Sequence, residues 1–248
     1  VMFVMMNMAR LSVGVQGLGL AERTLQGALS YANERVQGKV VGTPKEDRTS
    51  PIVGHPDVRR MLLDMRSLTE AMRGICLMNA VAMDRAGSLA DEDARQAAED
   101  LNELLIPITK AWCTDMGVEV TSLAIQVYGG MGFVEETGVS QFFRDARIAP
   151  IYEGTNGIQA MDLVGRKLPM RSGGVVTDTI ADIRATAAAL SADDELAGIG
   201  ARLAEATDAL DEATQWIFGH AGEIRDVLAG ATPYLRMWGL VVGGWVLG

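Results

Sequence analysis

The chain has 248 residues, 48% of them apolar, which is enough for a sizeable core in one or two domains. Lys and Arg total 22 against 32 Asp and Glu; the resulting net charge of -10 argues against a nucleic-acid partner, because phosphate backbones are met by basic faces. Only Cys76 and Cys113 are present, both inside apolar helical patterns, so a disulfide framework is excluded and buried free thiols in a reducing compartment are expected.

The chain opens on VMFVMMNMARL and closes on WGLVVGGWVLG, both apolar and uncapped, and they read as helices that continue. The expectation is therefore a piece of a longer protein. Neither run reaches the roughly 20 apolar residues of a membrane-spanning helix, and the first lacks the basic start of a signal peptide, so no membrane span is expected. Residues 2–36 are apolar on most faces, as in a helix buried within a bundle. Gly14, Gly17 and Gly19 would weaken that helix, so close helix packing is expected at them. The start from Met2 to Met8 reads as core, with the lining of an apolar ligand channel as the alternative, because flexible thioethers fit irregular apolar ligands.

Residues 37–55 (QGKVVGTPKEDRTSPIVGH) read as a long exposed loop. Pro56 suits a first helical turn, and Val58, Met61, Leu62, Met65, Leu68, Met72, Ile75, Cys76 and Ala80 then form one core-facing stripe. A third helical stretch runs from about Leu89 to Tyr128, with a kink or division expected at Pro107, and GGMGF at 129–133 ends it. Short helices are expected over 138–148 and 157–169, with a turn at IYEGTNG between them. After RSGG at 171–174, Leu196, Ile199, Leu203, Ala206, Leu210, Ala213 and Ile217 alternate in steps of three and four, the seam of a left-handed helix pair. A last helix starts near Glu223. No alternating segment is long enough for a strand, so the fold class is all-α, an up-and-down helical bundle.

Several chemistries are excluded by spacing. His55, His220 and the two Cys are scattered, so no pair has metal-ligand spacing. No serine has the strand-turn-helix context of a nucleophile. Gly129, Gly130 and Gly132 look like a phosphate cradle but follow a helix, where glycines are most often C-caps.

Four segments are informative in combination: YANERVQG at 31–38, QVYGGMGF at 126–133, RDARI at 144–148 and IYEGTNGIQ at 151–159. In this order on long helices they resemble the carboxy-terminal helical domain of the acyl-CoA dehydrogenase family. The resemblance covers roughly residues 1–168. Residues 175–248 are expected to be an additional helical segment, similar to the extra carboxy-terminal helices of larger bacterial members. The resemblance implies a flavoenzyme that uses FAD to take the alpha proton and the beta hydride of an acyl-CoA, giving a trans-2-enoyl-CoA, as in fatty acid beta-oxidation. It also implies an electron-transfer flavoprotein as electron acceptor, a homo-oligomer (dimer or tetramer) and, for a bacterial member, a cytoplasmic location.

An alpha proton beside a thioester is weakly acidic, so its removal needs a carboxylate within hydrogen-bond reach and shielded from water. Glu153 matches the family's base, and Gly154 beside it leaves room for substrate and flavin. Some members carry the base just before the arginine that matches Arg10, but this chain has Ala9 there. Arg35 matches an arginine that reaches the flavin diphosphate, although Gln37 stands where the family usually has Phe and the loop to His55 is long. Gln126, Gly129 and Gly130 match a segment that approaches the adenine end of a neighbouring subunit's flavin. Thr155 matches a flavin contact, with Gly157 where many relatives have a polar side chain. Arg10 matches an arginine at the substrate end of the first helix.

Plainer alternatives stand beside these roles. Glu153 could serve a helix dipole, Arg35 could be a solvated helix-end cation, Gln126 to Gly130 could be only a C-cap, and Arg10 could pair with a carboxylate. An acyl-CoA oxidase, handing electrons to oxygen, and a non-catalytic helical assembly module are the alternative functions. The isolated chain is expected to be folded, flavin-free, inactive and self-associating, because much of the flavin and CoA surface would come from domains that precede it in the family.

Overall fold

The computed structural model describes residues 2–42 and 50–248, with side chains described from Met5 onward. Three long helices make the frame: α1 (Met2–Glu34), α2 (Pro56–Ser88) and α3 (Glu92–Tyr128). Pro56 takes the first turn of α2, and Asp91 caps α3 by accepting the Ala94 amide at 2.8 Å. Pro107 does not divide α3. Its neighbours Leu104, Leu105, Ile106 and Ile108 are completely buried, and that burial exceeds the roughly 3 kcal/mol an interior proline costs a helix.

α1 and α3 run parallel. Asn7 donates to Glu103 at 2.6 Å near one end, and Tyr31 stacks on Tyr128 with ring centres 4.2 Å apart at the other. Between them the backbones nearly touch. A Cβ on Gly17 would lie 2.6 Å from the Cys113 carbonyl oxygen, and one on Gly14 would lie 2.9 Å from that of Thr109. Close packing thus accounts for Gly14 and Gly17 but not for Gly19, which is exposed with nothing within 4 Å. α2 runs antiparallel to α3, with Asn79 donating to Thr109 at 2.8 Å and the free thiols of Cys76 and Cys113 3.9 Å apart. Met61, Leu62, Met65, Met72, Ile75 and Cys76 of the expected α2 stripe are buried.

Two readings of the first 55 residues need correction. Met5 and Met8 are exposed rather than core, because α1 turns them away from α3; the side chains before Met5 lie outside the described residues. Residues 43–49 of the expected loop also lie outside them. What is described there is more ordered than a bare loop, since Val36 bridges to Pro51, Ile52–Gly54 forms a 3-10 turn, and Val40 and Ile52 are buried. That bridge is the only β pairing among the described residues.

Past Gly129 come α4 (Gly130–Phe133), α5 (Val139–Ala146) and α6 (Asn156–Asp162), the last running on into a π-helical turn at Leu163–Lys167. The second part of the chain contains α7 (Gly174–Ser191), α8 (Ala197–Gly219), α9 (Ile224–Ala229) and α10 (Ala231–Leu247). α7 had no clear signal in its alanine-rich sequence, and the expected last helix is split at Gly230. The α8 seam keeps Leu203, Leu210 and Ile217 but exposes Ile199 and Ala206; its other buried line is Gly200, Thr207 and Thr214. The reason is close approach: a Cβ on Gly200 would meet the Ser191 nitrogen of α7 at 2.5 Å. The threonines are tolerated because each donates to the carbonyl four residues back, Leu203 at 2.6 Å and Leu210 at 2.7 Å.

α10 locks onto the frame. The Trp112 ring of α3 lies against Gly239, where a Cβ would sit 2.1 Å from the indole, and Trp112 and Trp238 share one buried cluster with Met72 and Leu25. Gly239→Ala should therefore lower stability by about 1–3 kcal/mol through overpacking, against any helix-propensity gain. Gly19→Ala, in open space on α1, should raise it by about 0.5–1 kcal/mol, and denaturant unfolding of the two variants checks both signs.

Candidate functional site

Residues 147–155 cross from α5 to α6 over the middle of α3. The segment is closed by the Asn156 amide donating to the Pro150 carbonyl at 3.0 Å, and Thr155 caps α6 weakly through its hydroxyl, 3.4 Å from the Ile158 amide. At its tip Glu153 has φ 55° and Gly154 φ 82°, so both are left-handed. For glycine this is free, whereas for a glutamate it costs about 1–2 kcal/mol. The Glu153 carboxylate is exposed and makes no hydrogen bond or ion pair among the described residues.

Below the tip the turn is held by polar groups, most of them buried. Lys110, completely buried on α3, donates to the Gly154 carbonyl and to the Asn156 side-chain oxygen, each at 2.8 Å. Asn156 donates in turn to the Ala111 carbonyl at 3.0 Å, to the Thr114 hydroxyl at 3.0 Å and to Asp115 at 2.7 Å. Gln159 donates to the Glu153 and Gly154 carbonyls at 3.4 and 3.3 Å. Burial lowers the Lys110 ammonium to about 8, aided by the charge of Arg10 and opposed by Asp115 and Glu153. Burial likewise pushes the Asp115 carboxyl up, against its hydrogen bond from Asn156 and the attraction of Lys110, Arg147 and Arg236.

Arg10 enters from α1 and forms a buried ion pair with Asp162 at 3.3 Å, which Arg166 also meets at 3.2 Å. Its Nη2 would be 3.9 Å from a Cβ on Gly154, so the carboxylate-paired alternative for Arg10 describes its present contact while leaving it under the turn. Tyr152 donates across to Gln16 of α1. Arg10, Glu153, Gly154 and Thr155 therefore meet in one place.

Arg35, Gln126, Gly129 and Gly130 do not join them. They lie where α1 and α3 end, tied together by the Tyr31–Tyr128 stack and about 24 Å along α3 from Lys110, at about 1.5 Å per residue. Arg35 is exposed and donates to Gln37 at 3.3 Å. Gly129 ends α3 at φ 60°, its amide bonded to the Gln126 carbonyl at 3.1 Å, so the C-cap alternative holds as a local description. Both Gly129 and Gly130 are exposed, and a Cβ on either would meet nothing within 4 Å, so this helix end is open for a group to approach.

Sequence reasoning missed Lys110, Asn156, Gln159 and Asp162. A signal existed for the first: Lys110 interrupts the apolar run LLIPITKAW at a position that faces the core. The others sit beside the recognised motif, but which way they point depends on the turn.

This arrangement, a glutamate on a strained turn over a buried lysine within a parallel α1–α3 frame, accompanies a clear family match. The profile described as acyl-CoA dehydrogenase, C-terminal domain, matches residues 1–168, and the chain belongs to this family. A second profile, acetyl-CoA dehydrogenase C-terminal like, matches residues 179–248. Among relatives, 3-methylmercaptopropionyl-CoA dehydrogenase of Ruegeria pomeroyi is 47% identical over 250 residues, covering 100% of this chain and 42% of its own. Two solved structures share the fold at 20% identity. Caenorhabditis elegans ACDH-11 in complex with C11-CoA superposes with a TM-score of 0.75 over 98% of this chain and 39% of that one. An acyl-CoA dehydrogenase complexed with FAD from Bacillus anthracis does so with 0.73 over 97% and 41%. The chain thus spans about two-fifths of the length of these proteins.

The left-handed Glu153 yields a stability prediction. Glu153→Gly should relieve the backbone and raise stability by up to about 1 kcal/mol, the strain relief less the extra chain entropy of glycine. Thermal unfolding of the chain measures it.

Proposed function

We propose that the complete protein is an FAD-dependent acyl-CoA dehydrogenase that oxidises an acyl-CoA to the trans-2-enoyl-CoA, with Glu153 as the base that takes the alpha proton. The observation that carries this reading is the Glu153 carboxylate itself, left without a partner on a left-handed turn whose underside is pinned by Lys110 and Gln159. A residue kept in a costly conformation with its functional atoms free is what a proton-abstracting group requires. The name of the Ruegeria pomeroyi relative supports the substrate class, an acyl-CoA thioester.

The Glu153 carboxylate accepts the alpha proton as the thioester is held beside the turn, and Gly154 keeps the approach clear. Bound substrate beside the turn would exclude water from the reacting atoms. Bound FAD would supply the acceptor for the beta hydride. Toward that group this chain offers the exposed Arg35 guanidinium for the diphosphate, the Thr155 hydroxyl at the turn, and Gln126, Gly129 and Gly130 for an adenine. The open surface over Gly129 and Gly130 fits that assignment. The distance of the helix-end group from Glu153 supports a shared arrangement, in which it serves the flavin of a second copy in a homo-oligomer.

We assign residues 1–168 to the catalytic bundle and 175–248 to an added helical segment. The two family profiles, ending at residue 168 and starting at residue 179, support that division. An electron-transfer flavoprotein as acceptor, a place in fatty acid beta-oxidation and a cytoplasmic location complete the reading. No helix among the described residues is long and apolar enough to cross a membrane.

In the complete flavin-loaded protein, Glu153→Gln should retain flavin and bind acyl-CoA while slowing flavin reduction by about 10²- to 10⁴-fold, because the amide keeps the shape but cannot take the proton. Near-native bleaching of the flavin on rapid mixing with a good substrate would overturn the assignment. Arg35→Ala should weaken flavin binding by about 1.5–3 kcal/mol, read by titrating the apoprotein with FAD. Unchanged affinity would identify Arg35 as a solvated cation.

A further inference from the structure

The Glu153 turn has a strained backbone and needs something to hold it. We propose that Lys110 is a positioning residue whose amine clamps the carbonyl side of that turn and thereby fixes the direction in which the Glu153 carboxylate points. The proposal rests on the reading of Glu153 as the base.

Three observations carry it. First, the Lys110 amine reaches the turn at the two places that define it, the Gly154 carbonyl just after the left-handed pair and the Asn156 side chain at the start of α6, each at 2.8 Å. Second, a completely buried lysine is an expensive way to fill a core, and methionine or leucine would pack the same space between α1 and α3 without desolvating a charge. Third, its acceptors there are neutral oxygens, so its hydrogen bonds weaken when it loses its charge but are not abolished. A neutral amine still has two N–H groups, enough for both acceptors, so the clamp survives loss of the proton.

The charged groups around it are the Asp115 carboxylate on α3, Arg10 on α1 with its partner Asp162 on α6, and Glu153 on the turn. Arg147, just after α5, and Arg236, on α10, act on Asp115 from beyond. With burial as the largest cause, these leave the amine titrating at about 8.

Amide hydrogen exchange of the 248-residue chain tests the clamp directly. Lys110→Met should speed exchange over residues 152–157 by about tenfold or more, while α7 and α8 are unchanged. A folded variant with native exchange in that segment would overturn the proposal. If Lys110→Met fails to fold, Lys110→Gln, which keeps N–H donors on a shorter side chain, should give a smaller increase in the same segment, with the same null result decisive. The unaltered chain gives an arm independent of any variant. The carbon resonance of the Gly154 carbonyl should titrate together with the Lys110 amine, with a midpoint of about 8, while its left-handed backbone shifts persist; a carbonyl resonance that stays flat through the titration of that amine would overturn the contact.

In the complete flavin-loaded protein, Lys110→Gln should slow flavin reduction by about 10- to 100-fold with acyl-CoA affinity and flavin content near native, a split that general destabilisation does not produce. Native reduction in that variant would overturn the positioning role. Should Glu153→Gln prove fully active, the base assignment fails, and the exchange and resonance arms still decide whether Lys110 holds the turn.

Discussion

The approach of α1 to α3 sets the position of everything else in this structure. Gly14 and Gly17 on one helix, and Gly117 on the other, remove the side chains that would hold the two backbones apart. At this spacing Arg10 extends beneath the turn to Asp162, and Gln16 accepts from Tyr152 on its flank. The same parallel register brings Tyr31 onto Tyr128 and so places Arg35 beside the open end of α3. A bulky residue at Gly17 would tilt α1 about that contact and displace both clusters at once.

The ground beneath Glu153 is unusually polar for a protein interior. Lys110, Asn156, Gln159, Arg10 and Asp162 fill a space between helices that apolar residues could occupy at lower desolvation cost. Some of their capacity is left over: the Gln159 side-chain oxygen and the Arg10 Nε are buried without hydrogen-bond partners among the described residues. Such networks are costly in stability and favour one geometry over its neighbours. The apolar mass of α2, α3 and α10 around Trp112 and Trp238 supplies the stability that this region lacks.

Much of the helical plan was legible because long helices write their buried face into the spacing of Met, Leu and Ile, as α2 does from Met61 to Cys76. Pro107 misled because a local rule competes with burial on every side of it. The α8 seam was half legible: its leucines follow the rule, but Gly200, Thr207 and Thr214 are buried through close approach and back-bonding, which hydrophobicity does not encode. At the site, the motif identified Glu153 as the residue to watch. The support beneath it is contributed from residue 110, some forty positions earlier, and only folding brings that lysine to the Gly154 carbonyl.

The tryptophans have an optical consequence. Of the four, Trp112 and Trp238 are enclosed in apolar surroundings, and Trp112 lies against the Gly239 backbone of α10. Trp216 is exposed and stacked on His220 with ring centres 4.3 Å apart. The native emission is thus a sum of a blue component, from Trp112 and Trp238 with the half-buried Trp245 of α10, reporting the seam between the frame and the last helix, and a red component from Trp216. Lifting α10 alone would redden the first without touching the second, so one spectrum distinguishes undocking of the last helix from a change at the α8 end.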